Sequence, residues 1–140
     1  MTPSMFCLDT NVVIFALNKR KPQIAERLAT ELKAGAALMI PAAAIFELSY
    51  GIAKSKRPQQ ARALLEEFLS AGFELPAFDV EDAREGGDIR AFLEERGTPI
   101  GPFDYLIAAQ ARRRGAVLVT TNRREFDRVP NLMVTDWGDQ

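Results

Sequence analysis

Apolar and polar positions follow two patterns that alternate along the chain. Short apolar or β-branched runs at residues 5–9, 38–40, 74–78, 116–120 and 132–135 predict strands, the third weakened by its proline. Longer stretches with helical spacing predict helices over 11–18, 22–34, 42–54, 58–71, 80–96 and 102–114, with one further turn at 123–127. This alternation favours a parallel sheet that helices cover on both faces.

Two polar positions fall where such a sheet binds ligands. Asp9 ends the first strand, and Asn122 follows the strand at 116–120. Ligands bind outside the carboxyl ends of the strands in open α/β sheets, so we expect both side chains at one functional edge. Asp9 could equally be a helix cap. Thr10, however, is the residue that we expect to cap the helix over 11–18.

The helix over 80–96 contains the pair Gly86-Gly87. Each glycine costs a helix about 1 kcal/mol relative to alanine. The pair therefore predicts a kink or a close backbone contact.

The bulk composition predicts one domain over residues 1–140, because 47% of the residues are hydrophobic and 26% are charged. No apolar run approaches the ~20 residues that cross a bilayer. The first residues also lack the pattern of a signal peptide. We expect a cytoplasmic protein with no membrane partner.

The chain contains no histidine and a single cysteine, Cys7. It therefore lacks the commonest general base, and it cannot build a multi-cysteine zinc site or an internal disulfide. Hydrolytic chemistry in this chain would rest on carboxylates, which favour hard cations such as Mg²⁺ or Mn²⁺.

Further polar side chains have ordinary explanations when they are taken one at a time. Glu47 has apolar neighbours in the helix over 42–54, where a glutamate usually faces solvent. Asp104 is about the third residue of the helix over 102–114, where an acid suits the helix dipole. Asn122 could start a turn, and Glu125 follows it on a polar, basic segment.

The shared setting of Asp9, Glu47 and Asp104 argues against three separate explanations. Each acid stands at a strand end or in a helix, beside apolar residues. Clustered carboxylates raise one another's pKa values unless a cation neutralises them. Together with Asn122 they could form an oxygen cage for one or two divalent ions.

The formal net charge is −1, so contact with nucleic acid would depend on local positive charge. The candidate basic groups are Lys19-Arg20-Lys21, Lys54-Lys56-Arg57, Arg112-Arg113-Arg114 and Arg123-Arg124 with Arg128. From the last two groups we select Arg112, Arg123, Arg124 and Arg128 as candidate contacts to nucleic acid.

Four segments in order carry a family resemblance. They are "LDTNVVI", "PAAAIFELSYGI", "GTPIGPFDYLIAAQA" and "LVTTNRREFDRVPNLMVTDW", and they extend from about Phe6 to Trp137. Together they resemble a PIN-domain ribonuclease of the VapC toxin type. The resemblance implies a three-layer α/β/α sandwich with a central, mainly parallel sheet, and an endoribonuclease that depends on Mg²⁺ or Mn²⁺.

By this resemblance Asp9, Glu47 and Asp104 are the catalytic acids that bind the metal. The fourth motif falls at Asn122, where many PIN domains have an aspartate. Asn122 is then expected to contribute an oxygen ligand or to hold water, with Glu125 as the candidate substitute acid.

The resemblance also implies partners and a reaction. The partners are an RNA substrate, a cognate VapB-type antitoxin that blocks the acidic site, and a second copy in a homodimer. A metal-activated water would cleave the RNA and leave a 5′-phosphate and a 3′-hydroxyl. Thr10 and Asn11 are expected to hold the loop or a metal-bound water.

Two other classes of protein place an aspartate at the end of the first strand. One is a non-catalytic receiver-like or protein-interaction module, but receivers use a lysine late in the chain, and the last lysine here is Lys56. The other is a haloacid-type phosphatase, which needs a second aspartate where Asn11 stands.

Overall fold

A parallel sheet of four short strands lies at the centre of the computed structural model, which describes residues 5–138. The strands are β1 (Phe6–Leu8), β2 (Leu38–Met39), β3 (Val117–Val119) and β4 (Met133–Thr135). Their order is β2-β1-β3-β4, and every neighbouring pair is parallel. The two central strands, β1 and β3, are aligned so that Leu8 lies beside Val119.

Helices connect the strands and cover both faces of the sheet. They are α1 (Thr10–Asn18), α2 (Pro22–Lys33), α3 (Ala42–Ala53), α4 (Pro58–Leu69), α5 (Val80–Glu95), α6 (Pro102–Arg113) and the single turn α7 (Arg123–Phe126). The predicted helices are all present, with ends that differ by one or two residues.

Alternating side chains of the strands divide the core into two clusters. Cys7 and Leu118 face the cluster that contains residues of α5 and α6. Phe6, Leu8 and Val119 face the other cluster, which α1, α2, α3 and α4 complete. The predicted three-layer α/β/α sandwich with a parallel central sheet is therefore confirmed.

The predicted strand at 74–78 is wrong. Only Glu74 pairs with the sheet, through a single bridge to Met39, and its backbone also bonds to Leu38 and Ile40. Pro76 has no N–H to donate, so the ladder does not continue beyond this point.

The predicted close contact at Gly86 is confirmed, and α5 passes through it as one helix. A Cβ atom at Gly86 would lie 3.6 Å from the Ala109 Cβ and 3.6 Å from the Tyr105 carbonyl oxygen, both in α6. These are ordinary van der Waals distances, so α5 and α6 are in contact at Gly86 and an alanine would also fit there.

No helix within residues 5–138 has the length and apolar character that crossing a membrane requires.

Candidate active site

Asp9 lies buried where β1 ends and α1 begins, with only 5% of its surface exposed. One carboxylate oxygen accepts a hydrogen bond from the Thr10 amide at 2.8 Å, and the other accepts from the Thr120 hydroxyl at 2.7 Å. Asp9 itself is the N-cap of α1. The prediction that Thr10 caps this helix is therefore wrong, because Thr10 is its first helical residue.

Thr120 was not expected in the site. It follows β3 and is fully buried. Its hydroxyl donates to Asp9 and accepts a hydrogen bond from the backbone N–H of Asn122 at 2.9 Å. In the sequence Thr120 is only a hydroxyl at the end of an apolar strand. It can be assigned to the site only when β1 and β3 are known to be neighbours.

Thr10 connects Asp9 to Glu47. Its hydroxyl donates to a Glu47 carboxylate oxygen at 2.8 Å, and this contact joins α1 to the middle of α3. Glu47 is half-buried rather than facing solvent freely. Asn11, which was predicted to support the same loop, is exposed.

Asp104 lies in the first turn of α6, half-buried beside the helix N-cap Gly101. A Cβ atom at Gly101 would stand 2.8 Å from an Asp104 carboxylate oxygen, so a side chain there would displace this carboxylate. Burial raises the pKa of Asp104 to about 7, and repulsion from Asp9, Glu125 and Glu47 adds to the shift.

Burial also raises the pKa of Asp9, and the charges of Glu47 and Glu125 act in the same direction. Hydrogen bonds from Thr120 and Thr10 stabilise the carboxylate and oppose the shift. Glu47 and Glu125 therefore influence both aspartates, so the structure brings all four predicted acids into one electrostatic cluster.

Asn122 holds one member of that cluster. It stands before α7 without capping it, and its side-chain amide donates a hydrogen bond to the Glu125 carboxylate. Glu125 is half-buried. The position where many PIN domains have an aspartate thus bears an amide that orients a carboxylate three residues later.

The donor set suits a hard divalent cation, although it does not form a closed cage. No three acidic or cysteine side chains among residues 5–138 come close enough to enclose a metal ion. Mg²⁺ usually keeps several water ligands and binds one or two carboxylates directly, so it does not need a closed cage. The raised pKa values of Asp9 and Asp104 reflect burial and concentrated negative charge, which such a cation would relieve.

Comparison with known proteins identifies the family of the chain. The family model described as PIN domain matches residues 6–132. The chain is 40% identical to the tRNA(fMet)-specific endonuclease VapC of Shigella flexneri over 133 residues, which cover 95% of this chain and 98% of that protein. The chain belongs to the PIN-domain family, in its VapC branch.

Two solved structures extend the comparison to the whole PIN fold. VapBC2 from Rickettsia felis, bound to a DNA fragment from its promoter, aligns with a TM-score of 0.88 and 35% identity. DNA-bound VapBC from Salmonella typhimurium aligns with a TM-score of 0.86 and 39% identity. Each alignment covers 95% of this chain and 98% of the solved chain.

The arginines selected as RNA contacts of this PIN domain lie in different settings. Arg112 forms an ion pair with Glu85 at 2.6 Å and donates to the Pro130 carbonyl oxygen, so it fastens α6 to its neighbours. The remaining three are exposed: Arg123 pairs with Asp127, Arg128 donates to the Pro99 carbonyl oxygen, and Arg124 forms no ion pair within residues 5–138.

The raised pKa of Asp104 predicts how stability depends on pH. The folded state holds this proton more tightly than the unfolded state, where an aspartate titrates near 3.9. The contribution is fully present below about pH 4 and is lost as pH rises through about 7. We expect the metal-free wild type to lose thermal stability between pH 5 and 8, and Asp104→Asn to lose less.

Thermal unfolding in EDTA across that pH range measures this difference, with Asp88→Asn, an exposed residue of α5, as the matched control. Mg²⁺ at pH 8 should raise the midpoint of the wild type. Identical pH profiles for wild type and Asp104→Asn would contradict the assignment of a near-neutral pKa to Asp104.

Proposed function

We propose that the protein is a divalent-metal-dependent endoribonuclease and the toxin of a VapBC pair. The four converging carboxylates of Asp9, Glu47, Asp104 and Glu125 are the observation that carries the proposal. Its PIN fold and its similarity to proteins named as VapC ribonucleases support the same activity. We further propose that residues 1–140 act as one domain in the cytoplasm, where an RNA substrate and an antitoxin would be met.

Asp9, Glu47 and Asp104 would hold Mg²⁺ or Mn²⁺, with Glu125 as the fourth acid. When bound, the ion supplies activation of water and neutralises charge on the phosphate. Thr120 and Thr10 keep the Asp9 carboxylate oriented, and Thr10 also fixes Glu47 beside it. Asn122 orients Glu125.

Water is the proposed nucleophile in the cleavage of RNA. Attack at phosphorus displaces the 3′-oxygen of the ribose, so the products carry a 5′-phosphate and a 3′-hydroxyl. The sequence has no histidine to act as a general base toward the 2′-hydroxyl. Burial and the neighbouring carboxylates raise the pKa values of Asp9 and Asp104, and a bound cation would lower both again.

The proposal predicts that Asp9→Asn and Asp104→Asn each reduce RNA cleavage by two orders of magnitude or more, because each removes a charge from the metal-binding set. Glu125→Gln should reduce cleavage by about 10- to 100-fold, the range typical of disturbed metal surroundings. Gel electrophoresis of labelled RNA, with Mg²⁺ or with EDTA, measures these losses.

Asp88→Asn serves as the control because its carboxylate lies on the exposed side of α5. If all variants cleave RNA as fast as wild type does, and EDTA does not slow the cleavage, the assignment of a metal-dependent site would be wrong. Products ending in a 2′,3′-cyclic phosphate would exclude attack by water while leaving the ribonuclease activity in place.

An apolar groove beside the acids is the surface that we propose for the antitoxin. Its volume is about 410 Å³, and Glu47 lies among its lining residues. The other walls come mainly from apolar side chains of α1, α3 and α4, including Ile14, Leu17, Leu48, Ile52 and Leu64. An antitoxin segment with an apolar face and a basic residue directed at Glu47 would complement this groove and cover the site.

Gly51 offers a test, because a Cβ atom there would meet nothing within 4 Å although the residue lines the groove. Gly51→Leu would fill part of the groove, and we expect the antitoxin to inhibit this variant at least ~10-fold more weakly than wild type, the cost of about 1.4 kcal/mol of lost binding. Inhibition is expressed relative to each variant's own activity without antitoxin.

Gly87→Leu is the matched control, since Gly87 is equally open and lies on the exposed side of α5. If both leucine variants are inhibited as well as wild type is, the antitoxin binds elsewhere.

A second exposed apolar surface is the one that we propose for homodimerisation. Phe46 and Phe103 are 56% and 40% exposed, and their ring centroids lie 5.1 Å apart. Phe78 and Leu106 extend this surface. Clustered aromatic side chains of this kind are typical of protein interfaces.

We expect the wild type to sediment as a dimer at micromolar concentration and Phe46→Ser to sediment as a monomer, because the substitution removes a large apolar contact from each subunit. Val80→Ser changes an equally exposed apolar residue of α5 and should remain dimeric. Sedimentation velocity distinguishes these states. A monomeric wild type, or a dimer that survives Phe46→Ser, would refute this surface.

A further inference from the structure

A segment whose charged residues are all positive lies directly after one of the site residues. Residues 48–65, which follow Glu47, contain Lys54, Lys56, Arg57 and Arg62 and no aspartate or glutamate. The formal net charge of the whole chain is −1. This segment, the second half of α3 with the first half of α4, is therefore the natural place for an anion to approach the carboxylates.

Three side chains form a line along α3 and its C-cap, from the site toward that segment. Glu47, Tyr50 and Lys54 stand at i, i+3 and i+7, so they share one face of the helix on successive turns. At a rise of 1.5 Å per residue, Tyr50 and Lys54 lie about 4.5 and 10.5 Å along the axis from Glu47. This spacing suits the nucleotide next to a phosphate held at the acids.

Tyr50 offers an exposed aromatic ring at the middle of the line, with a cation over one of its two faces. It is 61% exposed, and the Lys54 ammonium lies over its ring, 4.6 Å from the centroid. Bases of single-stranded nucleic acid stack on such rings whatever their sequence, and a neighbouring cation contacts their phosphates.

The cations of this segment are also free to receive a phosphate. Within residues 5–138, Lys54, Lys56 and Arg57 form no ion pair, and all three are exposed. Two of the arginines selected from the sequence, Arg112 and Arg123, are already paired with carboxylates.

We propose that this line on α3, together with Lys56 and Arg57, binds the single-stranded RNA that flanks the cleaved phosphate. A base stacks on Tyr50, and Lys54, Lys56 and Arg57 contact the adjoining phosphates. This inference rests on the ribonuclease function proposed above. A second copy of the chain is a poorer occupant, because a symmetric contact would bring two segments of the same positive charge together.

RNA binding without cleavage tests the proposal. The probe is a fluorescein-labelled 12-nucleotide oligouridine, titrated with the protein in EDTA and followed by fluorescence anisotropy. We expect Tyr50→Ala to weaken binding by about 5- to 150-fold, the range for loss of one stacked base, and Tyr50→Phe to bind nearly as well as wild type. This difference is expected because the aromatic ring, and not the hydroxyl of Tyr50, stacks on the base.

The salt dependence of the same titration tests the lysine. Each phosphate contact contributes about 0.7 to the slope of log affinity against log salt for single strands. Lys54→Ala should lower the slope by about that amount, and Lys54→Arg should preserve it. Lys33→Ala is the control, because Lys33 is an exposed lysine at the end of α2.

Cleavage assays with Mg²⁺ then separate this inference from the proposed function. Tyr50→Ala should raise KM much more than it lowers kcat, and thermal unfolding should show that each variant is folded. If wild type cleaves RNA but Tyr50→Ala binds and cleaves it as wild type does, the RNA surface is refuted and the nuclease stands. Equal losses in Tyr50→Ala and Tyr50→Phe would also refute stacking. Absence of RNA binding by the wild type would overturn this surface even if cleavage is observed.

Discussion

The rest of the site depends on the hydrogen bonds that hold the buried carboxylate of Asp9. A charge in this position is costly unless hydrogen bonds replace the water that it loses. Thr120 at the end of β3 and the first amide of α1 supply those bonds. Because Thr10 also bonds to Glu47, the same few atoms fix the relative positions of two strands and two helices. The sheet edge and the acids are thus ordered by one local network.

The cluster is electrostatically unfavourable as long as no cation is bound. Asp9 and Asp104 are each partly desolvated and repelled by further carboxylates, which raises the pKa of both. A fold that needed only stability would not gather these charges, since like charges in a poorly solvated place destabilise the folded state. Electrostatic repulsion of this kind is typical of sites where a ligand of opposite charge binds and neutralises it. The arrangement therefore supports the proposed cation site rather than a set of independent helix caps.

The layers of this fold could be predicted from the sequence, because apolar periodicity reports local structure directly. The failures concern relations between distant residues. The apolar pattern predicts a full strand around Glu74 because it cannot show that only this residue pairs with β2. The sequence does not identify Thr120 as a site residue, because strand order decides that it faces Asp9. The charge of Arg112 suggests a nucleic-acid contact, but Glu85, which lies 27 positions away, engages that charge.

At the fourth position of the proposed site an amide is paired with a carboxylate. An aspartate at position 122 would repel Glu125, which lies one helical turn later and already raises the pKa of both Asp9 and Asp104. An asparagine has the same shape but carries an amide donor, and here that donor bonds to the Glu125 carboxylate. In this chain the negative charge at this end of the cluster comes from Glu125 of α7, and the Asn122 amide contacts it. Because the amide holds the carboxylate, the asparagine and the glutamate have to be interpreted as a pair.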